Sequence, residues 1–170
     1  MSGYDSAITI FTPDGQLRQV EYAMKAVDQG NITAAIACKN GVVIAVHNSS
    51  KDKLMQTDSI KKIHMIDHHI VAAYSGLNSD GRILVNKARL ESQSYRLNYE
   101  DEPSIDYVSK FISSFVQKFT QKGGARPFGM SMFLAGIDKT GTPKLFLVQP
   151  SGLITAWKAH AIGYCLYFNC

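Results

Sequence analysis

Cysteine is scarce in this chain of 170 residues: Cys38, Cys165 and Cys170 are too few and too unevenly spaced for a disulfide framework. Cys38 sits in an apolar run and is expected to be a reduced core residue. Charge of one sign is also lacking. Eighteen basic residues against fourteen acidic ones give a net charge of +4, and no run of Lys and Arg forms a nucleic-acid footprint. No stretch approaches the roughly eighteen consecutive apolar residues of a membrane span. Met1-Ser2 does not open into a basic-then-apolar secretory signal, so the sequons at Asn31 and Asn48 read as chance matches. These absences predict no nucleic-acid partner, no membrane and a reducing compartment, cytoplasm or nucleus.

Chemical motifs are sparse too. GGARPFG (123–129) lacks the Lys-Ser/Thr ending and following helix of a phosphate loop, and no G-x-S-x-G elbow occurs. His64, His68 and His69 straddle a strand–turn–strand, where successive side chains point to opposite faces. Without Cys or carboxylate ligands to complete a set they read as solvated turn histidines. No metal or other cofactor is expected. Trp157 and His160 read as strand packing, and Arg82, Lys87, Arg89 and Glu91 as a solvated face or a helix–helix contact.

What is present is an ordered series of elements. Pro13-Asp14-Gly15 is a turn. After it Leu17, Val20, Met24 and Val27 recur at helical spacing, with Gly30 as the expected C-cap. ITAAIA (32–37) and GVVIAV (41–46) form a hairpin signal, and strands follow at about 62–65 and at 70–76. Nearly continuous apolar runs predict a sheet covered on both faces. Ser79 or Asp80 can cap a long helix to about Leu97, with Leu84, Ala88 and Tyr95 along one side. A second helix follows Pro103, carrying Ile105, Val108, Ile112, Phe115 and Phe119 and stopped by Gly123-Gly124. Strands return at 130–138, at 145–149 and in LITAWKAHAIG (153–163). Strands, two helices and strands again predict a layered α+β fold.

Four stretches then carry a resemblance. YDSAITIFTPDGQLRQVEYAMKAV (4–27) resembles the N-terminal signature of α-type proteasome subunits, and YSGLNSDGRILVNKAR (74–89) the start of a family helix. GARPFGMSMFLAGID (124–138) and QPSGLITAWKAHAIG (149–163) are similar to family strands, all in family order. The resemblance implies a four-layer α-β-β-α sandwich of the N-terminal-nucleophile hydrolase type, here C-terminally incomplete because the family continues past Gly163 with a third helix. It divides the chain into a gate segment and capping helix (1–30), a sandwich (31–163) and a divergent tail (164–170).

It also implies a function. The catalytic paralogues, the β-type subunits, use a threonine at the chain's own N-terminus, whose α-amine serves as base. Here that slot falls at internal Asn31, with Thr33 equally internal; the acidic partner slot falls at His47, and only the lysine is kept, as Lys62. The resemblance therefore implies no catalytic residue and a non-catalytic ring subunit, against the alternatives of an active threonine peptidase or a truncated, assembly-incompetent fragment. Tyr4, Asp5, Pro13 and Tyr22 match gate positions, although Ser6 stands where an arginine is commoner. Gly30, Lys62 and Leu77 match a pocket for the C-terminal tails of activators or regulatory-particle ATPases. The implied partners are other α subunits in a seven-membered ring, and the β ring.

Overall fold

A computed structural model describes residues 9–48, 54 and 61–164. Tyr4, Asp5, Ser6, Cys165 and Cys170 lie outside the described residues. The Pro13-Asp14-Gly15 turn is closed from both sides, because Gln16 N donates to Thr12 Oγ1 (3.1 Å) and Thr12 N to Gln16 O (2.9 Å). Gly15 takes a φ of +76°, which a side chain would resist. Helix α1 (Arg18–Asp28) follows and buries Ala23 and Val27, leaving Val20 and Met24 half-buried. Gly30 does not end it in a left-handed turn. Gln29 is the C-cap, at a right-handed φ of −85°. Gly30 is required instead by close approach: a methyl there would overlap Gly76 N and Ser75 Oγ.

The remaining elements are β1 (Thr33–Cys38), β2 (Gly41–Val46), β3 (Ile63–Asp67), β4 (Ile70–Gly76), α2 (Asn78–Tyr99), α3 (Ile105–Gln121), β5 (Met130–Ile137), β6 (Pro143–Val148), β7 (Ile154–Ala156) and β8 (Ala159–Ile162). They form two antiparallel sheets, a five-stranded one in the order β3-β4-β5-β6-β7 and a three-stranded one in the order β2-β1-β8. LITAWKAHAIG reads locally as one strand region but crosses between them. Trp157 N donates to Leu145 O (3.0 Å) in the large sheet, and Lys158 O accepts from Ala37 N (2.7 Å) in the small one. At that crossing Trp157 stacks on His160 at 4.2 Å.

Two apolar layers result. On one face of the large sheet, Ile70, Ala72, Tyr74, Met132 and Leu134 pack against Leu84, Ala88, Ile105, Val108 and Ile112 of α2 and α3. On the other, Phe133, Ala135, Leu145 and Leu147 meet Ala35 of the small sheet. Residues of β5 alternate between the two layers, which is why its sequence is apolar except at Ser131. The small sheet is covered on one face only among the described residues, since Ile36 and Val43 on its outer side are 45% and 59% exposed. Cys38 lies on that outer side and is exposed, not a core residue.

One helix end carries a further correction. α2 starts at Asn78 with Leu77 as an N-cap lacking any side-chain cap, while Asp80 is drawn off to other partners. Ser104 does cap α3, accepting from Tyr107 N at 3.2 Å. The polar face of α2 is partly a contact surface. Arg89 Nε donates to Met65 O (2.8 Å), and Glu91 accepts from the Tyr107 hydroxyl (2.6 Å). No helix among the described residues is long and apolar enough to cross a membrane.

Candidate functional site

The site lies at the end of the large sheet where β4 finishes in Ser75-Gly76. Three glycines make the close approaches possible. Gly30 rests on Gly76, and a methyl on Gly163, at φ +101°, would overlap Asn31 O and Ser75 Oγ. The Ser75 hydroxyl donates to Asn31 O (2.9 Å), Thr33 Oγ1 to Tyr74 O (3.2 Å), and Tyr164 N to Gly30 O (2.7 Å). Asn31 is thus the middle of a continuous, pinned backbone that runs back into α1. Thr33 is fully buried, and its hydroxyl proton is committed to a carbonyl. His47, at the expected acidic slot, is exposed, and its N–H donates to Ile32 O (2.9 Å).

Lys62 stands directly before β3. Because Ile63 pairs with Ala73, Lys62 lies across from Tyr74, close to the Ser75-Gly76 end. It is 8% exposed, and burial lowers its pKa. Among the described residues no carboxylate is within ion-pair range of it. Leu77 follows Gly76, donates its N–H to Gly129 O (3.0 Å) and leaves its side chain 44% exposed. One residue on, α2 begins without a side-chain cap from Leu77 and carries the Asp80 carboxylate in its first turn. Register thus puts Lys62 near the end of β4 that Gly30 packs against and that Leu77 follows.

The expected gate positions are less complete. Pro13 sits in the exposed turn and Tyr22 on α1, with the Lys25 ammonium 5.8 Å from the Tyr22 ring. Tyr4 and Asp5 lie outside the described residues. The histidines separate. His68 is an exposed turn residue, but His64 belongs to β3, stacks on Tyr74 at 5.7 Å and has its pKa lowered mainly by burial. His69 Nε2 lies 2.8 Å from Pro103 O, which can only accept, so that nitrogen carries the proton and ties the α2–α3 connection to the sheet. Sequence reasoning missed Ser75, Gly76 and Gly163. A Ser-Gly pair ending an apolar strand was the available signal, and Gly76 indeed adopts φ +110°.

Residues 27–168 match the family described as proteasome subunit, and residues 4–26 match the N-terminal signature of proteasome subunits of the A (alpha) type. The chain belongs to the proteasome subunit family, with the signature of its alpha type. The alpha type-7 proteasome subunit of Dictyostelium discoideum is 49% identical over 160 residues, covering 94% of this chain and 64% of the relative. The alpha type-7 subunit of Solanum lycopersicum is 48% identical over 164 residues (96% and 63%). The alpha proteasome subunit of Methanocaldococcus jannaschii is 51% identical over 162 residues (95% and 62%). The chain spans a little under two-thirds of the length of these relatives. The two antiparallel sheets and helix layer agree with the α+β sandwich expected of the proteasome family.

Proposed function

We propose that this chain is a non-catalytic α-ring subunit of the core proteasome, in the cytoplasm and nucleus, serving ubiquitin-dependent protein degradation. In a seven-membered ring of α subunits stacked on the β ring, its N-terminal segment gates substrate entry and its Gly30–Lys62–Leu77 pocket docks activator tails. The observation that carries the non-catalytic part is the pinned, internal Asn31. Threonine peptidases of this superfamily need a free α-amine at the nucleophile, and here the slot holds an amide side chain between two peptide bonds. Thr33 offers no substitute, because it is buried and equally internal.

Docking is supported by the buried Lys62. A cation taken out of water with no carboxylate beside it among the described residues is costly, and a ligand carboxylate would relieve that cost. A tail ending hydrophobic–tyrosine–any residue would place its carboxylate on Lys62 and apolar surface on Leu77. Assembled particles should therefore bind an octapeptide ending Leu-Tyr-Arg with a free carboxylate, and bind its C-terminal amide far less. Lys62→Ala should weaken the acid form by about ten- to a hundredfold, the scale of one charge-assisted hydrogen bond. Equal binding by mutant and parent would remove the docking role. Gating is supported by the Pro13 turn ahead of α1, which hydrogen bonds between Thr12 and Gln16 hold closed. Deleting residues 1–8 should raise basal peptide hydrolysis by assembled particles, and unchanged hydrolysis would contradict gating.

A further inference from the structure

The wall of this pocket is held in place by an ion pair between Asp80 and Arg126. Asp80 is 4% exposed, and besides a 3.5 Å hydrogen bond from the Ser79 hydroxyl its carboxylate accepts three shorter ones from across the fold. Arg126 supplies two in a fork, Nη1 at 2.7 Å and Nη2 at 2.9 Å, and Gly129 N supplies the third at 3.0 Å. Gly129 O in turn accepts from Leu77 N at 3.0 Å. The chain from Leu77 to Asp80 and the segment from Arg126 to Gly129 are thus closed into one ring of contacts.

Leu77 is shaped by that ring. Its Cδ1 lies 2.9 Å from where a Cβ on Gly129 would stand, so the bare Gly129 backbone is the surface its side chain rests on. A methyl on Gly76 would overlap Gly129 O. Yet the Arg126 side chain is 60% exposed. The Arg126 side chain therefore contributes little to folding through its own burial. What the fork does supply is direction, since a planar guanidinium fixes the carboxylate plane in a way a point charge does not.

We infer that Asp80 and Arg126 are positioning residues of the tail pocket: by clamping Gly129 they fix the Leu77 side chain and the first turn of α2, the surface on which the apolar part of a carboxylate-ended tail would rest. This rests on the docking function proposed above. The clamp acts through Leu77 and not on the tail, so its effect belongs to the part of the ligand that meets the wall.

The test uses assembled particles titrated with two fluorescein-labelled octapeptides, one ending Leu-Tyr-Arg and one ending Ala-Tyr-Arg, with Leu77 methyl carbon-13 shifts recorded in parallel. Arg126→Gln should weaken the leucine peptide by about three- to tenfold, toward the lower end of the coupling seen between contacting groups. The alanine peptide should change much less. The two Leu77 methyl shifts should move toward rotamer averaging, and Arg126→Lys should restore part of both signals. Lys62→Ala is the reference and should weaken both peptides alike. If Lys62→Ala weakens binding but Arg126→Gln leaves both peptides and the Leu77 signals at parental values, the clamp has no positioning role. Equal losses for both peptides with unchanged Leu77 shifts would also overturn the inference, because they would mean a direct charge effect. If Lys62→Ala itself has no effect, the docking function fails first and the clamp with it.

Discussion

The two sheets of this molecule are built from similar-looking sequence and end in different surroundings. In the large sheet, β5 turns Met132 and Leu134 toward the helices and Phe133 and Ala135 toward the small sheet, and all four are at most 1% exposed. In the small sheet, β1 turns Ala35 inward, while Ile36 on the opposite face stays 45% exposed. An apolar run alone therefore does not tell whether a strand face is covered. Exposed apolar faces of this kind favour association. Among the described residues, nothing covers the face that carries Ile36 and Val43.

Substitutions on the two sheets should separate accordingly. Leu134→Ala removes a fully buried side chain between sheet and helices and should cost about 2–5 kcal/mol in denaturant unfolding. A cost below about 1 kcal/mol would mean that this layer is looser than its packing indicates. A smaller effect is expected at the clamp. Burial alone would raise the Asp80 pKa, but hydrogen bonds from Arg126 and Gly129 outweigh it and hold the carboxyl below its usual range. A depressed folded pKa adds stability that is complete above the unfolded value of about 3.9 and is lost as pH falls through the folded value. Asp80→Asn should therefore lower stability at neutral pH and flatten the loss on acidification below about pH 4. An acid profile parallel to the parent's would show that Asp80 is not linked to folding in this way. Smallest of all, Val43→Ala on the outer face should shift stability by no more than about 0.5 kcal/mol. A loss comparable to that of Leu134→Ala would show that the outer face is covered.

Much of the fold was legible because its signals are local. The strands at 41–46 and 70–76, and the stripe Ile105, Val108, Ile112 on α3, follow from periodicity and turn chemistry alone. The sheet switch at Trp157-Lys158 was not legible, because pairing β8 with β1 joins residues more than a hundred positions apart and leaves no local mark. Cys38 was misjudged for the same reason: its apolar neighbours are real, but its face is the open one. At the site, Gly30, Lys62 and Leu77 were carried by family resemblance. Gly163, Asp80 and Arg126 make contacts between distant segments, so neither spacing nor composition could rank them. Gly30 shows the limit most clearly. Its position was marked, but as a helix cap, whereas the structure requires it for backbone contact with Gly76.

The central claim is that this chain takes part in a proteolytic particle without cutting peptide bonds itself. The most direct measurement is treatment of assembled particles with a threonine-directed covalent inhibitor, followed by mass spectrometry of each chain. The account predicts adducts only on catalytic partner chains, with this chain unlabelled and its peptide across Asn31 and Thr33 intact. An inhibitor adduct on Thr33, with the chain cleaved before it to free an α-amine, would contradict the account.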